Sequence, residues 1–171
     1  VDPLCFGVCS GSINAVPSGG VLPYTYSWSP VAGTDPSILN VCANTHTVTV
    51  TDANGCIVSQ STTLTEPPVI TISGAITNTS CTSVAAGAID LTVGGGTPGY
   101  TYQWSGGSVA TTEDLNSILF GQYIVTVTDT NLCTMVDTFN VAATDTAIAN
   151  AGIDQVFCIN GNVTLDGTSS I

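Results

Sequence analysis

The most constraining feature of this 171-residue chain is that most of it occurs twice. Residues 23–28, PYTYSW, return as GYTYQW at 99–104, and residues 49–56, TVTDANGC, return as TVTDTNLC at 126–133. The offset is 76 residues in the front half of each copy and 77 in the back half. A duplication that stays in register in this way indicates one folding unit present twice, so the repeat determines the architecture.

The repeated segments have the pattern of β-strands. Residues 46–51 and 123–128 alternate core-type residues with Thr, which is the period of a half-buried strand. Each run enters a turn, at 52–55 or 129–132; Asn-Gly favours a hairpin in the first, and Leu132 in place of glycine predicts a less favourable second turn. No segment has a useful helical period. The sequence therefore predicts an all-β fold of tandem, elongated immunoglobulin-like β-sandwich modules.

The repeat register also predicts the domain boundaries. Residues 1–66 form the first module and residues 67–142 the second, with a stiff junction at Glu66-Pro67-Pro68. Residues 143–171 read as a linker followed by the first strands of a third, incomplete module, because two strands are too few for an independent sheet. We therefore expect this sequence to be a piece of a longer or processed chain.

The charge composition excludes several classes of function. The chain has no Lys or Arg and 12 acidic residues, so its formal charge is −12. This charge repels phosphate backbones and anionic lipid surfaces, which excludes nucleic-acid binding. No stretch approaches the roughly 20 apolar residues of a spanning helix, so we expect no membrane insertion. Because trypsin-like proteases cleave after Lys and Arg, the chain has no cleavage site for them, which is expected of a long-lived extracellular protein.

The seven cysteines indicate an oxidising compartment and a disulfide framework. The second copy contains only Cys81 and Cys133, so a bridge within that copy has to join these two residues. The same register pairs Cys5 with Cys56. Each module would then be closed by its own disulfide, worth roughly 4 kcal/mol for a loop of this length.

Cys9 and Cys42 are a second candidate pair, because both positions are apolar in the other copy. Cys158 is left without a partner in the chain, and we expect its partner further along the protein or in another subunit. The alternative reading is that the cysteines are buried thiols or zinc ligands. No Cys-x-x-Cys spacing supports zinc.

These motifs together resemble a known family. A leading Cys, Gly-x-Ile, a glycine-rich lead into Tyr-Thr-Tyr-x-Trp, and Val-Thr-Val-Thr-Asp-x-Asn-Gly-Cys are similar to the SprB-type repeat of large secreted adhesins in gliding and related Bacteroidota. The segment at 149–167 resembles the opening strands of PKD-like modules. The chain departs from the pattern at His46, where Tyr123 stands in the other copy, and at Leu132.

The resemblance implies a structural or adhesive repeat region of a cell-surface adhesin or extracellular filament. Such a region would give reach, stiffness and protease resistance, and would be exported by the type IX secretion route for attachment or gliding motility. Its partners would be neighbouring modules or subunits of the same protein, with surface polysaccharide as a further candidate. The resemblance implies no enzyme activity, catalytic residue or cofactor.

An alternative function uses the aromatic residues. Trp28 and Tyr26 share one strand face, as do Trp104 and Tyr102, and such a ladder stacks on sugars when it faces solvent. This reading makes the chain a carbohydrate-binding accessory region of a secreted hydrolase. Because a Trp on a central strand also fills a sandwich core, we predict that all four side chains are core residues.

The remaining candidate sites are weaker. A calcium ion has possible ligands at each hairpin turn, although an Asp there more often caps its own turn. His46 has no neighbouring acid or nucleophile pattern, and the acidic pair Glu113-Asp114 is absent from the first copy. Thr146 lies in a motif that resembles the O-glycosylation signal of the same phylum. The calcium candidates are Asp52, Asn54, Asp129 and Asn131.

Overall fold

The computed structural model describes residues 1–79 and 85–144, and in these ranges the chain is built of β-strands without any helix. The predicted all-β class is confirmed. The described residues form two compact units. Unit 1 is Val1–Thr71 with Gly95–Gly99 and Asp129–Cys133, and unit 2 is the rest of the described chain.

Unit 1 has five strands in two small sheets. The order β1-β3 makes one sheet and β2-β4-β5 makes the other, both antiparallel. The strands are β1 Gly11–Asn14, β2 Thr25–Ser29, β3 Ser37–Val41, β4 Thr45–Thr51 and β5 Ile57–Thr63.

Unit 2 repeats this arrangement and adds one strand. Its sheets have the orders β6-β7-β9 and β8-β10-β11. The strands are β6 Thr71–Thr77, β7 Gly87–Gly94, β8 Thr101–Gly106, β9 Leu115–Ile118, β10 Gly121–Thr128 and β11 Thr134–Val141. By the repeat offset, β7 to β11 correspond to β1 to β5, and β6 is the added strand.

The alternation seen in the sequence produces the two cores. In β4, His46, Val48 and Val50 are buried. The alternate Thr side chains of β4 face outward, and three of them form hydrogen bonds with hydroxyl groups of β5. In unit 2 the Trp104 and Phe139 rings pack at a tilt, with centroids 6.1 Å apart. The buried apolar residues of unit 1 are Trp28, Ile38, Val41, Val48, Val50 and Leu64.

The strand β5 differs from its counterpart β11. Every residue of β5 is exposed, whereas Phe139 and Val141 of β11 are buried. Phe139 lies against Gly74 of β6, where an added Cβ would meet the ring at 2.8 Å. In unit 1 an apolar cavity of about 330 Å³ opens between β1, Trp28 and the inner face of β5.

Three predictions lie outside the described residues: the third module, Cys158 and Thr146. The module boundaries at residues 66 and 142 and the immunoglobulin-like tandem arrangement stay predictions from the sequence.

Candidate functional site: the cysteine-bearing turns

The two disulfides of the described chain differ in how far along the sequence they reach. Cys9 is bonded to Cys42 across 33 residues. Cys5 is bonded to Cys133 across 128 residues, with the Cα atoms 5.7 Å apart. Cys56 is an exposed free thiol. The long-range disulfide joins the opening of the first repeat to the hairpin turn of the second.

The predicted pairs Cys5–Cys56 and Cys81–Cys133 are therefore wrong, since Cys5 and Cys133 are bonded to each other. The physical reason lies in the periodicity. A constant offset fixes which cysteines are equivalent, but it does not say whether a leading cysteine bonds within its own repeat or to the turn of the next one. Cys81 itself lies outside the described residues.

The two turns that carry these cysteines have the same backbone hydrogen bonds. We name Asp52–Cys56 turn A and Asp129–Cys133 turn B. In turn A, Asp52 Oδ1 accepts the backbone N–H of Asn54 at 2.9 Å and of Cys56 at 2.8 Å, and Oδ2 accepts that of Val21 at 3.0 Å. The Asp caps its own turn, as Asp side chains commonly do.

Turn B repeats the network bond for bond. Asp129 Oδ1 accepts the backbone N–H of Asn131 and of Cys133, each at 2.9 Å, and Oδ2 accepts that of Thr97 at 2.9 Å. The residue before the cysteine has a positive φ in both turns, 82° at Gly55 and 66° at Leu132. The missing glycine therefore leaves Leu132 in a conformation that costs a non-glycine residue roughly 1 kcal/mol or more.

These N–H donors hold both carboxyl groups ionised. Burial raises the pKa of the Asp129 carboxyl, but the three N–H groups outweigh it and bring the pKa below the ordinary 3.8. At Asp52 the N–H groups of Cys56 and Val21 are the main causes that lower the pKa. In each turn the ionised Asp also accepts the backbone N–H of the cysteine four residues later.

Turn B holds the opening of the chain, which we name the leading segment, Val1–Ser10. Besides the disulfide, Asn131 Nδ2 donates to the Leu4 carbonyl at 3.0 Å and to Thr97 Oγ1 at 2.9 Å. Gly7 N–H donates to Glu66 Oε2 at 2.8 Å, which fastens the far side of the segment. The leading segment is thus bound through backbone groups as well as through sulfur.

Turn A has the same parts, but none of the described residues is bonded to its cysteine. Asn54 stands at the position of Asn131 and is exposed, as is Cys56. The sequence alone did not reveal this difference, because both turns end in the same Asn-x-Cys pattern.

The calcium candidates do not converge on an ion site in the described part of the chain. Both Asp side chains point their oxygens at backbone N–H groups, which occupy the lone pairs that a cation would need. Residues 1–79 and 85–144 contain no cluster of three His, Cys, Asp or Glu side chains fit to hold a metal.

The aromatic residues face the core to different degrees. Trp28 and Trp104 are 5% and 1% exposed, and their Nε1 groups donate to the carbonyls of Asp35 and Thr112, both at 2.9 Å. Tyr26 and Tyr102 are half-buried at the core margin. Neither indole offers a face to a sugar ring in solvent.

The acidic pair is divided between two structural roles. Asp114 Oδ1 accepts the N–H of Leu91 at 2.9 Å. Burial, followed by a hydrogen bond to the Glu113 carboxylate, raises the pKa of Tyr102 to about 12. Two carboxylates that face different partners do not form an acid–base pair.

His46 has the structural role that its tyrosine counterpart also has. It is 2% exposed, and its Nε2 lies 3.0 Å from the carbonyl oxygen of Cys42. Tyr123 donates its hydroxyl to the carbonyl of Leu119, the equivalent residue, at 2.8 Å. Each side chain ties a strand to the loop before it.

Comparison with protein families identifies the repeats. Residues 1–33 and residues 73–109 each match the family model of the SprB repeat. Two segments of the chain match the SprB repeat. The matched residues include the leading segment, β1 and β2 in the first repeat, and β7 and β8 in the second.

A SprB repeat is a structural repeat rather than an enzyme, and it points to the repeat region of a cell-surface adhesin. Comparison with curated proteins finds no match for the chain. Within the residues described, no helix has the length and apolar character needed to cross a membrane.

Proposed function

We propose that these SprB repeats are structural modules of a secreted cell-surface adhesin or extracellular filament. Their task is to give the protein reach, stiffness and resistance to proteases, while specific adhesion resides in other parts of the protein. The route of export is type IX secretion, the location is extracellular, and the use is surface attachment or gliding.

The observation that carries the proposal is the Cys5–Cys133 disulfide. It joins the start of one SprB repeat to a turn in the next, so successive repeats are linked by sulfur as well as by the peptide chain. A disulfide that closes so long a loop removes many conformations from the unfolded chain. Such a link suits a module that has to stay folded under load outside the cell.

Surface chemistry supports the same function. The outward faces of β4 and β5 carry Thr and Ser pairs rather than charges, and the whole chain offers no Lys or Arg to trypsin-like enzymes. Carbohydrate binding through the tryptophans is disfavoured because both are buried. The partners that fit best are neighbouring modules or subunits of the same protein.

Limited proteolysis tests the structural part of the proposal. The oxidised chain and a Cys5→Ser/Cys133→Ser variant are digested with chymotrypsin, which has cleavage sites in both repeats. We expect the half-life of the oxidised chain to be at least about tenfold longer, because cleavage follows the population of opened molecules. Equal half-lives would argue against a protective role for the disulfide.

Location and ligand are tested separately. Antibodies against the two repeats should label intact, unpermeabilised cells of the source bacterium, and labelling only after permeabilisation would contradict a surface location. A glycan array probed with the purified chain should show no binding. Binding that is lost in a Tyr24→Ala/Tyr100→Ala variant would instead favour the carbohydrate-binding function.

A further inference from the structure

Among residues 1–79 and 85–144, turn A has no covalent partner, although its sister turn has one. The two turns have the same residue at three of their five positions, the same three N–H bonds to the Asp side chain and a positive φ before the cysteine. Turn B uses this geometry to hold a leading segment through Cys133 and Asn131. Turn A presents Cys56 and Asn54 in the same frame, and both are exposed.

We propose that turn A is an acceptor site for the leading segment of another SprB repeat, whose leading cysteine forms a disulfide with Cys56. The occupant is a segment of the kind seen at Val1–Ser10, which turns after its cysteine and whose preceding backbone carbonyl faces the acceptor turn. The general rule is that the leading cysteine of one repeat bonds to the turn cysteine of the repeat that follows it.

Three features of the Cys5–Cys133 site define what the occupant must offer. Its cysteine Cα has to come within about 6 Å of the turn cysteine Cα, as in the observed 5.7 Å pair. The residue before the cysteine has to turn its carbonyl toward the Asn side chain, as Leu4 does toward Asn131 at 3.0 Å. The segment has to carry no negative charge near the turn, because Asp52 is ionised there and would repel it.

The bond forms by oxidation of two thiols. Cys56 and the incoming leading cysteine each lose one proton and one electron, and a disulfide oxidant is reduced to two thiols. Exchange proceeds by attack of one thiolate on a mixed disulfide of the other, with the small thiol as the leaving group.

The proposal does not depend on attachment or motility, since it concerns only how repeats are joined. It also differs from closure of each repeat by its own disulfide, which would place Cys56 against Cys5. In the structure Cys5 is already bonded elsewhere.

The test uses the full chain with Cys81 and Cys158 replaced by Ser, so that Cys56 is the only thiol outside the two disulfides. The probe is a synthetic peptide of residues 1–8, VDPLCFGV, whose cysteine is activated as a mixed disulfide with thionitrobenzoate. Release of thionitrobenzoate measures the rate at which Cys56 captures the peptide. A peptide of the same composition in scrambled order is the control for general thiol reactivity.

We expect capture of VDPLCFGV to be about tenfold faster than capture of the scrambled peptide, which is the factor that a single ordering hydrogen bond is worth. The preference should disappear in urea, and Asn54→Ala should reduce it. Equal rates for the two peptides on the folded chain would overturn the proposal. Non-reducing peptide maps of the wild-type chain that show Cys56 bonded to Cys5 would overturn it as well.

Discussion

Removal of the Cys5–Cys133 disulfide provides the sharpest test of the architecture. The perturbation is Cys5→Ser/Cys133→Ser, and the matched control is Cys9→Ser/Cys42→Ser, which removes the other disulfide of the described chain. Both variants replace two sulfur atoms, but the loops that they open differ in length by a factor of nearly four.

The expected magnitudes follow from these loop lengths. In the chain-entropy model a loop spanning the 128-residue separation of Cys5 and Cys133 is worth about 4.9 kcal/mol. The 33-residue separation of Cys9 and Cys42 is worth about 3.7 kcal/mol. With a guanidinium slope of about 2 kcal/mol/M, the first variant should lower the unfolding midpoint by about 2.5 M and the second by about 1.9 M.

Tryptophan fluorescence provides the assay. The chain has two tryptophans, so a Trp104→Phe background leaves Trp28 as the single buried reporter in unit 1. The unfolding midpoint is then compared among the parent and the two disulfide variants. A shift below about 0.5 M for the Cys5/Cys133 variant would refute the argument, since it would mean that the bond does not constrain unit 1.

Three further predictions concern the turns and the unit 2 core. Asp52 and Asp129 have lowered pKa values, so the stability that they contribute is present above the unfolded pKa of 3.8 and is lost as the pH falls through the folded pKa. Urea midpoints measured down to about pH 2.5 should therefore drop less in Asp129→Asn than in the parent. Parallel curves for the two proteins would contradict this. Leu132→Gly should raise the free energy of unfolding by up to about 1 kcal/mol, because it relieves the positive φ of 66°. Gly55→Leu should lower the free energy of unfolding by about 1 to 2 kcal/mol. If calorimetry gave changes of the same sign for both variants, backbone strain would not be the cause. Gly74→Ala should destabilise unit 2 by about 1 to 3 kcal/mol, because the new Cβ would meet the Phe139 ring at 2.8 Å. If this clash is the cause, Gly74→Ala/Phe139→Leu should recover part of the lost stability. Trp104 fluorescence is the readout for both variants.

Much of the fold could be predicted because it depends on local patterns. Alternation of Val with Thr in β4 and β10 follows from the period of a strand, and the burial of Trp28 and Trp104 follows from their place on such strands. The turn network is equally local, since Asp52 contacts N–H groups only two and four residues ahead within its turn.

The disulfide pairing could not be predicted in the same way. Repeats make Cys5 equivalent to Cys81 and Cys56 equivalent to Cys133, but closure within a repeat and closure to the next repeat both satisfy that equivalence. The choice depends on where the leading segment runs after the chain folds. The contacts of Leu4 with Asn131 and of Gly7 with Glu66 decide it, and neither contact has a sequence signature.

The cavity beside β5 is a second feature that the sequence pattern could not predict. By the repeat offset, Thr62 of β5 stands where Phe139 of β11 fills the core of unit 2, and every residue of β5 is exposed. A single change of side-chain volume at that position, together with the strand β6 that only the second repeat displays here, decides whether the inner face is covered.

The position of the Cys5–Cys133 bond has a mechanical consequence. Tension applied to residues on either side of the bonded pair passes from one sulfur atom to the other and bypasses the intervening polypeptide. At about 3.5 Å of contour length per residue, roughly 450 Å of chain is shielded from extension. While that bond is intact, a tether containing these repeats keeps its length under a pull that would unravel an unbridged sandwich.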